Sequence, residues 1–420
     1  MTRAQTGYRQ VILDAATKLF HERGFSQATT DEIAAEARIT KRTMYRYFGS
    51  KEELLAAIQE QFLERLLQPI DLHGTPLERL TALVENYVET AIAHRDQIRV
   101  FFEERKNLSP ESLARVIGRR DEHEKLFRQT LADGVAAGDF RDLDVTVTSE
   151  GVLGAVAGLY QWYDPAGWLS PGDISAALLA LFTTGLERSA RTLTTAARPG
   201  RAAKPAGAGR KRGPDQAPDA VVAAAESMWA DNPVLSNILD AAATMFYERG
   251  YDNANTRLLA DTAGLSKSAL YYYVPSKEAI LFQLNLRLSA AGLVAERGLI
   301  AQHADPVDAL WALIDWQCRT VAANLGALRS LSFEMRFLDP AHYDQIQVLR
   351  AEYARNFTAV IQAACPRWAV PELAQPMSLI ILGMVNFMNQ WYAPGGRLSP
   401  DEIAAGFFSL IWDGILKRAE

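Results

Sequence analysis

Between Lys41 and Tyr47, six of the seven side chains can donate hydrogen bonds: Lys41, Arg42, Thr43, Tyr45, Arg46 and Tyr47. Met44 and Phe48 stand four apart, so a helix here buries one side and turns its donors outward. Arg and Lys can pair with guanine O6 and N7, and the Thr methyl can pack on a thymine methyl. A short helix built this way suits the major groove of duplex DNA. Such a helix must be held in place. Upstream, Thr30 is placed to cap a helix by accepting from its first-turn N–H groups. Ile33, Ala34 and Ala37 give that helix an apolar face. Arg38-Ile39-Thr40 breaks the pattern as a turn, and a third helix opens at Lys51. Residues 8–24 read as a leading helix, with Val11, Ile12, Ala15, Leu19 and Phe20 on one face and Gly24 as its C-terminal stop.

The same text occurs twice. Residues 12–55, ILDAATKLFHERGFSQATTDEIAAEARITKRTMYRYFGSKEELL, match residues 238–281, ILDAAATMFYERGYDNANTRLLADTAGLSKSALYYYVPSKEAIL, at a shift of 226. Thr30, Lys41, Tyr45, Tyr47 and Lys51 recur as Thr256, Lys267, Tyr271, Tyr273 and Lys277. The match continues beyond the reading helices. Arg99, Glu104, Leu108, Pro110, Arg120, Glu122 and Phe127 recur 230 positions later, and Gln161-Trp162-Tyr163 recurs as Gln390-Trp391-Tyr392. The ordered set LDAA..LF.ERG, a Thr-led helix, LY.Y and SKE resembles the helix-turn-helix domain of the TetR family of transcriptional repressors. The repeat covers a full TetR-like subunit, so two subunits are joined in one chain.

The resemblance implies an all-α fold divided as follows: 1–55 and 234–281 as DNA-binding domains, 56–193 and 282–420 as helical regulatory domains, and 194–233 as a basic disordered linker. That linker is rich in Ala, Gly, Pro and Arg, and about 40 such residues span roughly 35 Å. A short helix is expected within it, from Asp219 to Ala230. The resemblance also implies the contacts with a double-stranded operator. Thr30, Tyr45, Tyr47 and Lys51 would hold phosphates, and Lys41, Arg42, Thr43, Tyr45 and Arg46 would face the bases. The matching second set is Thr256, Lys267, Ser268, Tyr271, Tyr272, Tyr273 and Lys277. Its phosphate-type residues are kept, while Arg42, Thr43 and Arg46 give way to Ser268, Ala269 and Tyr272. For Tyr47 and Tyr273 core packing is the alternative reading. At the turn, Arg38 stands where the second copy has Gly264, a position that favours positive φ.

The family's regulatory domain holds a small molecule, and its last two helices form the dimer interface. Here Phe101, Phe102, Trp162, Trp316, Phe333 and Trp391 are the candidate ligand contacts, with Trp311 and Phe337 as further aromatics. The phrase WY.P.G.LSP.EI resembles relatives that respond to acyl-CoA thioesters. Pairing of the two halves within one chain would make a pseudo-dimer; a homodimer of chains is the competing arrangement. Unlike reading helices predict an operator with unlike half-sites. The alternative is that only the first reading helix binds DNA, the second unit serving as sensor or partner.

Composition narrows the classes. The formal net charge is −6, against a generally basic non-specific binder. Residues 1–55 carry nine Lys and Arg against seven Asp and Glu, a balance of +2, whereas residues 234–281 carry four against five, a balance of −1. The first head is the better equipped electrostatically. Two cysteines make no disulfide framework, and no signal-peptide pattern is read, which fits a bacterial cytoplasm and the nucleoid when DNA is bound. No apolar window is long enough to span a bilayer. The six histidines are scattered with no catalytic or zinc spacing, so no enzyme activity, cofactor or metal is expected.

Overall fold

The computed structural model describes residues 3–68, 70–167, 169–196, 217–229, 232–325, 328, 334–365 and 371–414. Every regular element among the described residues is a helix, and the chain divides into two units. No described helix is long and apolar enough to cross a membrane.

The first unit opens with α1 (Arg3–Arg23), α2 (Thr30–Glu36), α3 (Lys41–Tyr47) and α4 (Lys51–Leu66). On α1 the buried face is Ile12, Leu13, Ala16, Leu19 and Phe20. Val11 is 46% exposed, contrary to the sequence reading. At 100° per residue it sits about 200° around the helix from Leu13, outside the stripe. Leu54, Leu55, Ile58, Phe62 and Leu66 bury one side of α4. The regulatory part comprises α5 (Pro76–Ala93), α6 (Arg95–Glu103), α7 (Pro110–Ala137), α8 (Val145–Ala157), α9 (Leu159–Trp162) and α10 (Pro171–Ala196). Pro76 and Pro110 stand in first turns, where no N–H is required, behind the caps Thr75 and Ser109. Leu80, Leu83, Val84, Tyr87 and Val88 are buried on α5, as their spacing implies.

The second unit takes in the end of α10 from Thr184, then α11 (Pro218–Trp229), α12 (Pro233–Asn253), α13 (Thr256–Thr262), α14 (Lys267–Tyr273) and α15 (Lys277–Gln302). Then come α16 (Pro306–Ala323), α17 (Pro340–Ala364), α18 (Pro371–Trp391) and α19 (Pro400–Asp413). The short helix expected from Asp219 within the linker span is present as α11. Residues 218–229 are helical, because Val221, Val222 and Ala225 lie on one face and are buried in the core around Ile238, Leu239 and Phe246. Arg297 Nη1, from residues 277–302, donates to Asp219 Oδ1 of this helix at 2.5 Å. Residues 197–216 lie outside the described residues.

Candidate nucleic-acid interface

The two reading helices, α3 and α14, start from the same local chemistry. Thr40 caps α3 by accepting from Thr43 N at 3.1 Å, and Ser266 caps α14 by accepting from Ala269 N at 3.1 Å. Each helix is anchored by one fully buried side chain, Met44 in the first and Leu270 in the second. Such burial contributes roughly 1.5–3 kcal/mol apiece. The anchor fixes which side faces solvent. Lys41, Arg42, Tyr45 and Arg46 are exposed together, while Thr43 and Tyr47 are half-buried. Arg46 lies over the Tyr47 ring at 5.3 Å, and Tyr47 sits 6.4 Å from Tyr8. Lys41 is paired with Asp31 at 2.9 Å, which raises its pKa and leaves an exposed cation at the start of the helix. On α14 the exposed set is Lys267, Ser268, Tyr271 and Tyr272, with Tyr272 84% exposed. Tyr273 is half-buried and packs on the core of its unit.

One expected role is corrected. The cap of α2 is Thr29, not Thr30. Thr29 Oγ1 accepts from Glu32 N at 3.2 Å, and Glu32 reaches back to Thr29 N at 2.9 Å. Asn255 likewise precedes Thr256 as the cap of α13. The one-residue shift arises because Glu32 lies three after Thr29, the spacing of a reciprocal cap. Thr30 is left at the head of α2 with Tyr45 Oη at 3.5 Å, and Thr256 with Tyr271 Oη at 3.2 Å. The two hydroxyls thus form a matching exposed pair in each head.

The turn between α2 and α3 differs between copies in sequence but not in shape. Arg38 has φ 54, and Gly264 at the matching position has φ 69. Both turns close the same way: Ile39 N donates to Ala34 O at 2.9 Å, and Leu265 N to Ala260 O at 2.8 Å. Arg38 is the one non-glycine with positive φ among the described residues. Exchanging it for glycine removes about 1–2 kcal/mol of strain against about 0.5–1 kcal/mol of added chain entropy. We expect Arg38→Gly to slow hydrogen exchange at the α3 amides by roughly two- to fivefold. Unchanged or faster exchange would contradict this.

Lys51 and Lys277, expected at phosphates, have their ammonium groups turned onto the preceding loop. Lys51 Nζ donates to Phe25 O at 2.8 Å and Ala28 O at 3.1 Å and lies 4.3 Å from the Phe25 ring centre. Lys277 Nζ donates to Tyr251 O at 2.7 Å and lies 4.5 Å from the Tyr251 ring centre. Beside each lysine sits a carboxylate from the regulatory part. Glu104 Oε1 accepts from Phe25 N at 3.1 Å, and Glu334 Oε1 from Tyr251 N at 3.4 Å. Loop, lysine and glutamate form a buried latch between each reading head and its own regulatory helices. Sequence reasoning assigned neither glutamate a role, although the recurrence of Glu104 as Glu334 was the available signal.

The regulatory aromatics fall into two groups. Phe101 and Phe102 are buried and meet edge-on at 5.0 Å, with Phe62 at 5.5 Å from the first and Tyr160 stacked at 6.0 Å from the second. Trp162 and Trp391, 229 positions apart, are half-buried, and each has a buried indole Nε1 with no acceptor among the described residues. Trp391 lies 6.5 Å from Phe407. Trp316 is half-buried on α16, and Phe333 lies outside the described residues. A groove of about 370 Å³ in the first unit is lined instead by Glu60, Glu64, Arg115, Arg119 and Glu122. Its charged walls suit water better than an apolar guest.

The profile of the bacterial regulatory proteins, tetR family, matches residues 12–58 and 238–284, and that of the tetracyclin repressor-like C-terminal domain matches residues 73–186 and 303–415. The HTH-type transcriptional repressor KstR2 of Mycolicibacterium smegmatis is 33% identical over 188 residues, 43% of this chain and 91% of its own length. The fatty acid metabolism regulator protein of Bacillus subtilis is 24% identical, over 37% of this chain and 82% of its own length. Among solved structures, AibR in complex with isovaleryl coenzyme A and operator DNA matches 41% of this chain and 96% of its own, at 26% identity and a TM-score of 0.39.

Proposed function

This chain belongs to the TetR family of bacterial regulatory proteins, with both family domains present twice, and we propose that it is a cytoplasmic repressor whose two heads grip one operator as an intramolecular pseudo-dimer. That it is a DNA-binding transcription regulator rests on the family and on its named repressor relatives. The finer reading is carried by one observation: two anchored helices, built alike, present different exposed side chains. Lys41, Arg42, Tyr45 and Arg46 read one half-site, with Thr43 beside them, and Lys267, Ser268, Tyr271 and Tyr272 read an unlike one. Thr30 with Tyr45, Thr256 with Tyr271, and Tyr47 and Tyr273 lie toward the phosphates and set register. Lys51 and Lys277 act in the same region by fixing the loop before each reading head.

The effector in this reading is a small hydrophobic molecule, with an acyl-CoA thioester the class suggested by the WY.P.G.LSP.EI phrase. Trp162 and Trp391 offer it indole donors otherwise without acceptors, and Phe101, Phe102 and Trp316 offer apolar surface. Binding releases DNA only if the ligand prefers the state in which the heads do not fit the operator. The Glu104 and Glu334 latches give that preference a path to the heads.

The mass of the protein–operator complex tests the arrangement. One chain per duplex is expected; two chains per duplex would overturn the pseudo-dimer. A second reading, in which only the first head binds DNA, is favoured by the single cation on α14, Lys267, against three on α3. Joint substitution Lys267→Ala and Tyr272→Ala separates the two. Unchanged operator affinity supports the second reading, and a drop of tenfold or more supports the first.

A further inference from the structure

The histidines gave no metal pattern in sequence because the residues concerned come from distant elements. In the second unit, Glu278 is the second residue of α15, Asp339 caps α17, and His342 lies in the first turn of α17. His342 Nδ1 is 2.9 Å from Glu278 Oε1 and 2.9 Å from Asp339 Oδ2. The ligand atoms of all three lie within 4.8 Å of one another. The imidazole is stacked on Phe282, with ring centres 3.8 Å apart and planes inclined by 15°. Asp339 Oδ1 is occupied as the helix cap, accepting from His342 N at 2.8 Å, which leaves Oδ2 directed at the ring nitrogen. That nitrogen carries at most one proton for two carboxylates, and the other donor to Glu278 Oε1 is Asp339 N at 3.2 Å. A divalent cation can satisfy both.

We propose that Glu278, Asp339 and His342 form a binding site for a divalent transition-metal ion of the zinc type, with water completing its coordination. One imidazole nitrogen and two carboxylate oxygens are ligands that zinc accepts, and three protein ligands leave an open position. Tetrahedral zinc with bonds of about 2.1 Å sets its ligand atoms about 3.4 Å apart, so the two measured separations of 2.9 Å have to open by about 0.5 Å.

Folding does not require this set. The matching helix start in the first unit is built from Ser109 and Ser112, with Ser112 N donating to Ser109 Oγ at 3.2 Å. Asp339 and His342 stand where the first unit has this serine pair, which caps the same helix start. The site's position gives it a consequence. Glu278 directly follows Lys277, which pins the loop before the second reading head, whereas Asp339 and His342 open a regulatory helix. A bound ion cross-links the helix that carries the head to the regulatory part and stiffens that joint. The proposal does not depend on the DNA-binding reading.

The test titrates the full chain, stripped of metal by a chelator, with zinc chloride against a chromophoric zinc indicator. The comparison is a double variant, Asp339→Ser with His342→Ser, which copies the first unit's cap. The wild type is expected to take up one equivalent more than the double variant, and Glu278→Gln to lose the same equivalent. Equal uptake by the wild type and either folded variant would overturn the site.

Discussion

Arg42→Ala and Arg46→Ala are each expected to weaken binding to the chain's operator by about 1–3 kcal/mol, roughly 5- to 150-fold. Both guanidiniums project from a helix whose opposite side is fixed by Met44, fully buried. Neither substitution touches that anchor or the Thr40 cap, so the head keeps its fold; Arg46→Ala also gives up the contact with the Tyr47 ring. A guanidinium that pairs with two acceptors on one guanine discriminates against other bases. Its loss therefore relaxes sequence preference at one position as well as affinity. Anisotropy titration of a labelled operator at fixed salt is the measurement, with circular dichroism to check the fold. A fall of less than twofold for both variants would remove α3 from the base-reading role.

The second large effect concerns pH. Glu150 on α8 is buried, and burial foremost, then the neighbouring Glu124, pushes its carboxyl up to about 9. Arg128, 3.5 Å away, offsets this only in part. In the second unit Glu296 is fully buried on α15, and burial pushes it up to about 8 although Asn356 Nδ2 donates to its Oε2 at 2.9 Å. Each acid keeps its proton in the folded state at pH values where the unfolded chain has lost it. Their stabilisation is complete below the unfolded value near 4.5 and is lost as pH rises toward 8 and 9. Across that window each contributes a slope of up to about 1.4 kcal/mol per pH unit. Glu150→Gln and Glu296→Gln keep shape and hydrogen-bonding capacity without the charge. Each is expected to flatten the alkaline decline by about one proton and to stabilise its unit at pH 8 by on the order of 2 kcal/mol. Denaturant midpoints from pH 6 to 9 give the slopes, and a slope unchanged by both substitutions would contradict the assignment. His123 acts at the other end. Burial holds it neutral, down to about 4, so its stabilisation is present above 6.5 and lost as pH falls toward 4.

How much of this was legible in sequence depended on whether the deciding contact was local. The anchors of the reading helices follow from i and i+4 spacing, and the duplication follows from identities at fixed shifts. The left-handed turn at Arg38 was legible because Gly264 stands at the same place in the other copy. The cap shifted by one residue because Thr29 and Thr30 are chemically equivalent, and only the reciprocal bond to Glu32 chooses between them. The loop contacts of Lys51 and Lys277 were illegible for a different reason. A cation at a helix start is equally suited to a phosphate or to nearby carbonyls, and only the folded loop brings those carbonyls into reach. Glu104 reaches Phe25 across 79 positions, and His342 reaches Glu278 across 64. No periodicity encodes such pairings. The helix 218–229 was legible from Asp219 onward, because apolar spacing returns there after the Ala, Gly and Pro stretch.

The central claim is that two unlike reading heads in one polypeptide address one operator. Selection of bound sequences from random duplex DNA by the purified full chain tests it most directly. The account predicts a recovered motif with two unlike half-sites, one of them losing its preferred bases when Arg42 and Arg46 are replaced and the other when Lys267 and Tyr272 are replaced. A symmetric motif, or one indifferent to the second pair of substitutions, would contradict it.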